Sequence, residues 1–230
     1  MKKTKLFLLL MAVSLFGLSC GSKAPIAAPV TNQPLAEIIP MDTTPVNTTP
    51  ENSEPVANPV VVLKTSLGDI SIELFMDRAP ITAGNFLALA KDNFYDGVTF
   101  HRVIPGFMIQ GGDPLSKDAD PTNDGKGGPG YFIKDEFYEG SSNVAGTIAM
   151  ANAGAGTGGS QFFINIGDNT FLDYDKEPAS SKHPVFGRIT AGMDVLAAIS
   201  AVDRDSHDRP LENVTIQDVI ISDDSVSVVE

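Results

Sequence analysis

The sequence predicts a mainly β domain over residues 60–222, a barrel or sandwich of about eight strands with two helices. Short runs rich in β-branched and aromatic residues recur from Val60 to Ile221, and an early one alternates cleanly between apolar and polar side chains. The connections between the later runs are long and rich in glycine, which suits a barrel or sandwich better than a parallel sheet.

Taken in order, Val60 to Lys64 leads to the turn signal Gly68-Asp69. Ile70, Ile72 and Leu74 then alternate with Ser71 and Glu73, so the two runs read as a strand pair. Pro80 opens a helix that continues to Lys91, with Phe86 and Leu89 on one face and proline acceptable in the first turn. Strands are expected at Val98 to Val103, Phe107 to Gln110, Thr147 to Met150 and Gln161 to Ile166. A second helix runs from Gly192 to Ala201, with Thr190 as its cap and Val195, Leu196 and Ile199 on its buried side. Val214 to Ile221 is the closing strand, and 223–230 is an acidic tail.

The N-terminal fifty-nine residues do not fit this pattern. Lys2, Lys3 and Lys5 precede an apolar run from Leu6 to Leu18, so residues 1–19 read as a secretory signal, too short to span a bilayer comfortably. The run ends at Gly17-Leu18-Ser19-Cys20-Gly21, which resembles a bacterial lipobox, with Gly17 where that pattern has leucine. The resemblance implies lipidation of Cys20 and a place in the bacterial cell envelope, the periplasm or outer surface, with the membrane reached only through that anchor. Residues 20–59 carry eight of the 16 prolines and no aromatic residue, the composition of an extended, disordered linker reaching at most about 120 Å.

Charge narrows the partners. Lys+Arg 16 against Asp+Glu 29 gives a net charge of -13, which argues against nucleic acid, since binding a phosphate backbone rests on clustered cations. Cleaving the signal removes three lysines and no acid, so anionic lipid would not hold the domain by charge either. The single cysteine excludes an internal disulfide, and three histidines make a histidine metal cluster unexpected. Asp118, Asp120 and Asp124 are spaced like part of a calcium loop, but Tyr131 stands where its bidentate glutamate belongs. Gly154, Gly156 and Gly159 spell a dinucleotide-loop pattern that leads into a strand rather than a helix. No metal and no cofactor is expected.

Phe100-His101-Arg102-Val103-Ile104-Pro105-Gly106-Phe107-Met108-Ile109-Gln110-Gly111-Gly112-Asp113 resembles the signature of the cyclophilin family of peptidyl-prolyl isomerases. Ala149 to Gly154 with Gly159 to Ile164 is similar to the family's second core motif, and His183 to Arg188 to a third. The resemblance implies a closed eight-stranded antiparallel barrel capped by two α-helices, with the site on its outer surface. It implies Arg102 as the catalytic arginine and Phe107, Met108, Phe163 and Leu172 as the apolar wall that receives the proline ring. Gln110, Ala151, Asn152, Gln161 and His183 would line the peptide groove. Phe171 stands where eukaryotic members often carry tryptophan, which bears on cyclosporin affinity more than on catalysis. The implied partners are proline-containing segments of unfolded or folding proteins, met by a monomer. Insertions at 115–126 and 173–182 depart from the simplest members.

These residues suit the chemistry. An X-Pro bond faces a rotation barrier of about 18–20 kcal/mol, and in the twisted state the prolyl nitrogen becomes more basic. A guanidinium stays protonated and can donate toward that nitrogen without a base or a cofactor. The competing reading is a catalytically idle module of the same fold that only holds proline-containing peptides. Phe162 and Ile164 read as core beside the wall residue Phe163, because strand neighbours face opposite ways; His101 reads as structural beside Arg102 for the same reason.

Overall fold

The computed structural model describes residues 58–178 and 182–222. The signal, Cys20, nearly all of the linker, part of the 173–182 insertion and the acidic tail lie outside the described residues. Eight strands form one sheet: β1 (Val60–Thr65), β2 (Gly68–Leu74), β3 (Arg102–Ile104), β4 (Met108–Gly111), β5 (Thr147–Met150), β6 (Phe162–Asn165), β7 (Val185–Ala191) and β8 (Ile216–Ser222). Their order is β3-β4-β6-β5-β7-β2-β1-β8, and every pairing is antiparallel.

The sheet curls into a half-barrel rather than the closed barrel expected. β3 and β8 are the two ends of the ladder, and no ladder joins them. A single bridge, Thr99 to Thr215, spans the seam, with Gly97 N donating to Ile216 O at 2.8 Å and Phe100 N to Val214 O at 2.9 Å. The expected strand at Val98 to Val103 is therefore divided: its first half crosses the seam, and only Arg102–Ile104 enters the sheet.

Helix α1 (Pro80–Lys91) starts at the proline as expected, and it buries Phe86 and Leu89 against the core. Its first turn is capped from far away in sequence. The Glu136 carboxylate accepts from Thr82 N at 2.7 Å and Thr82 Oγ1 at 3.1 Å, satisfying a donor that Ala79 at the N-cap cannot. Helix α2 (Met193–Ser200) buries Leu196 and Ile199, with Val195 partly buried beside them. Thr190 is not its cap. That residue belongs to β7, and Gly192, at φ 90°, makes the turn into the helix without a side-chain cap.

Alternation along the strands divides the apolar residues into two clusters. Val103, Ile109, Ile148, Met150, Phe162 and Ile164 face the barrel interior, with Phe86, Tyr95, Phe100 and Phe186. Met108, Ala149, Phe163 and Val185 face outward and join Phe75 and Leu172 in a second cluster on the outer surface. An apolar cluster on the outer face of a sheet that already has a core is where a site is sought.

Candidate active site

The outer face is organised by register. Arg102 pairs with Gln110, Gln110 with Phe163, and Phe163 with Ala149, so one rung crosses β3, β4, β6 and β5. Paired residues of adjacent strands share a face with Cβ atoms about 5 Å apart, so a guanidinium, an amide, a phenyl ring and a methyl stand in a row. Phe163 is 5% exposed, whereas Arg102 is exposed and its side chain makes no ion pair or hydrogen bond among the described residues.

The turn from β3 to β4 brings in Phe107. Pro105 and Gly106 occupy its centre, with Gly106 at φ 71° and Phe107 N donating to Ile104 O at 3.1 Å, the proline-then-glycine pattern of a type II turn. The turn lies so close to Gly167 that a Cβ there would be 2.3 Å from Gly106 O, so only glycine permits the approach. Phe107 is half-buried and stacks on Phe171 at 5.9 Å and 22°. Phe171 itself is 58% exposed and belongs to a 3-10 turn, Thr170–Leu172, whose last residue reaches the outer cluster.

His183 closes the wall on the far side of the 173–182 insertion. Its backbone N donates to Leu172 O at 3.0 Å, its Nδ1 meets Met150 O at 3.0 Å, and its ring stands edge-on to Phe163 at 5.2 Å. Burial pushes its pKa below the usual histidine value of 6.5, with the bond to Met150 O and the charge of Asp135 opposing. Burial lowers that of His101 as well.

Beside the wall lies a cleft of about 380 Å³, lined by Gln110, Ala151, Asn152 and Gln161 together with Pro129, Phe132 and Thr157. Gln110 Nε2 donates to Gln161 Oε1 at 3.0 Å, and Gln161 Nε2 to Gly127 O at 2.8 Å, which aligns both amides along the cleft floor. Asn152 Nδ2 donates to Lys182 O at 2.9 Å, tying the groove to the second insertion. On the other side of Gln110 a cleft of about 610 Å³ is lined by Arg102, Pro121, Thr122, Asp124 and Arg209. The 115–126 insertion thus supplies wall to both clefts. Its aspartates close its own turns: Asp118 Oδ1 accepts from Asp120 N at 2.7 Å, and Asp120 Oδ1 from Thr122 N at 2.9 Å.

The structure thus brings Met108, Phe163 and Leu172 into one cluster with Phe107 and Ala151 packed against it, and places Gln110, Asn152, Gln161, Phe171 and His183 around it. Sequence reasoning did not name Ile104, Ala149 and Val185: alternation from Arg102 would have placed Ile104, whereas Ala149 and Val185 are set by the register of β5 with β6 and β7. Phe75 and Tyr138, which meet edge-on at 6.5 Å, arrive from other segments and carry no such signal.

The model of the family described as cyclophilin type peptidyl-prolyl cis-trans isomerase/CLD matches residues 60–221, the whole of this sheet but its last residue. The chain belongs to the cyclophilins. This cyclophilin is a peptidyl-prolyl cis-trans isomerase. It is similar to the Schizosaccharomyces pombe peptidyl-prolyl cis-trans isomerase ppi1, 44% identical over 160 residues that cover 68% of this chain and 94% of the relative. The probable peptidyl-prolyl cis-trans isomerase A of Mycobacterium bovis is 41% identical over 186 residues, 73% of this chain and 94% of the relative. A crystal structure of a Cryptosporidium parvum cyclophilin-type isomerase in the presence of the dipeptide Ala-Pro matches with TM-score 0.61 and 32% identity, covering 71% of this chain and 98% of that one.

Buried His101 and half-buried His183 give the cyclophilin domain a pH-dependent stability. Their folded pKa values lie below 6.5, so under acid the unfolded chain binds protons that the folded chain resists. This contribution is fully present above pH 6.5 and is lost as the pH falls from there toward the folded values. The urea midpoint at pH 5.5 should lie below that at pH 7.5; an equal or higher midpoint at pH 5.5 would contradict it.

Proposed function

We propose that Arg102 is the catalytic residue of an exported, lipid-anchored isomerase that assists the folding of envelope or secreted proteins. The observation that carries the catalytic part is the rung: an exposed guanidinium without an ion pair or hydrogen bond among the described residues, in register with Gln110 and the buried ring of Phe163. In this reading the proline ring of the substrate lies on Phe107, Met108, Phe163 and Leu172, with His183 at the edge. Gln110, Ala151, Asn152 and Gln161 hold the peptide on one side of the rotating bond, and Phe171 shields the mouth.

Magnitudes assign the work. Turnover on the order of 10³ per second requires lowering the barrier by about 6–7 kcal/mol. A charge-assisted hydrogen bond from Arg102 to the pyramidal nitrogen supplies about 1.5–3 kcal/mol of that. The rest falls to fixing one side of the bond and to stripping water from an amide that is less polar when twisted. Neither a metal nor a cofactor enters.

Export and anchoring rest on Lys2, Lys3 and Lys5 before the apolar run, and on Cys20 at its end. Two acyl chains at that position would hold a chain whose charge repels anionic lipid, and the proline-rich segment 20–59 would let the domain range above the surface. On expression of the full chain in a bacterium, isomerase activity should sediment with membranes, and Cys20→Ser should release it to the soluble fraction. Equal partitioning of the two proteins would sink the anchor.

A further inference from the structure

Behind the apolar wall the loop before β5 carries Asn143, only 1% exposed. Its Nδ2 faces Leu172 O at 3.3 Å, His183 O at 3.2 Å and Asp173 Oδ1 at 3.2 Å. Its Oδ1 accepts from Asn165 Nδ2 at 3.3 Å, and its backbone O accepts from Asn169 N at 2.7 Å. Asn169, also buried, donates from Nδ2 to Phe107 O and to Asn165 Oδ1, both at 2.8 Å. Asp173 is held in turn by Ser142 Oγ and Asn143 N, both at 2.7 Å. The amide orientations are mutually consistent, because flipping Asn143 would turn its oxygen toward two carbonyls and a carboxylate.

The three carbonyls gathered by this network belong to Phe107, Leu172 and His183. None of these residues lies in a strand, so no ladder fixes their spacing. Phe107 comes from the β3–β4 turn, Leu172 from the end of the 3-10 turn, and His183 from beyond the second insertion. Apolar contacts alone would let such segments slide, whereas hydrogen bonds shielded from water fix direction as well as distance. Asn143 also joins the residues on either side of the 173–182 insertion, Leu172 and His183.

We propose that Asn143 and Asn169 are positioning residues of the isomerase: their side-chain amides lock the backbone of Phe107, Leu172 and His183 into one frame and so set the shape of the proline pocket. The proposal rests on the reading of those three residues as pocket wall. The leverage is large, because a misplacement of about 1 Å can cost on the order of a hundredfold in rate.

The test compares the full chain with Asn143→Ser, Ser142→Ala and Val219→Ala, the last in the β8 part of the core away from the outer cluster. For each, kcat and KM are measured on a proline-containing peptide well below the unfolding temperature, and the ring-proton resonance of His183, one of three histidines, is followed by NMR. Asn143→Ser should lower kcat/KM about tenfold and move the His183 resonance. Ser142→Ala, which removes only one support of Asp173, should move it the same way and lower kcat/KM about threefold. Val219→Ala should leave both within the wild-type range despite its lower stability. If Asn143→Ser fails to fold, Ser142→Ala decides alone. Activity that tracks thermal stability across the series, with His183 unmoved, overturns the proposal. Phe107→Ala measured alongside separates the failures: full activity there removes the pocket reading, whereas loss there without loss in Asn143→Ser removes only the positioning role.

Discussion

Arg102→Ala is expected to reduce kcat/KM for an X-Pro test peptide by two or more orders of magnitude while leaving the domain folded. The two halves of this expectation have separate causes. Arg102 is exposed at the edge strand β3 and its side chain makes no ion pair or hydrogen bond among the described residues, so truncating it leaves no buried group unpaired. Surface changes of that kind stay within about 0.5 kcal/mol of wild type. The rate loss follows from removing the one cation in register with Gln110 and Phe163, a hydrogen bond made only as the prolyl nitrogen becomes basic. A hundredfold loss is about 2.7 kcal/mol, within the range of one charge-assisted hydrogen bond. Arg102→Lys should recover only part of it, since an ammonium lacks the planar fork. Wild-type activity in a folded Arg102→Ala protein would return catalysis to the apolar wall alone.

Phe86→Ala should be the most damaging single truncation of the core. The ring is fully buried, stacked on Tyr95 at 4.8 Å and 26°, and meets Phe162 at 5.5 Å and 80° and Phe186 at 5.5 Å and 42°. It therefore joins α1 to β6 and β7, and neighbours cannot collapse into the space without leaving their own strands. A loss of about 3–5 kcal/mol is expected, a large part of the roughly 5–15 kcal/mol that holds a domain together. Urea unfolding should show it as a fall in midpoint at unchanged slope. A loss under about 1 kcal/mol would mean that the aromatic cluster repacks freely. Because Phe162 and Phe163 are successive residues on opposite faces of β6, the same variant should also weaken the outer wall.

Much of the site was legible because strand alternation writes it into adjacent letters. Phe162-Phe163-Ile164 separates core from wall, with Phe162 and Ile164 in the interior cluster and Phe163 in the outer one; His101 is buried, yet it precedes β3 and lines the same cleft as Arg102. Pro80 marked the start of α1 correctly. What stayed illegible depends on contacts between distant segments. The half-barrel and the closed barrel have the same alternation, since both bury one face of every strand, so only the missing ladder between β3 and β8 tells them apart. Thr190 resembled a cap, yet β7 extends through it and Gly192 turns the chain instead. Asn143 and Asn169 lie in loops and Asn165 at the end of β6, and nothing local announces that three amides will be buried together.

Synthesis proceeds from the N-terminus, but β1 lies between β2 and β8, so one of the first strands made must wait for the last. Every residue from Val60 to Thr65 has a partner in Ile216–Ser222, and the seam at Thr99 needs Thr215. A nascent chain lacking Thr215 to Ser222 carries an unpaired edge along β1 and an open seam beside β3. Completion of this fold therefore waits for Ile216–Ser222, and isomerase activity should appear in a growing chain only once those residues have been made.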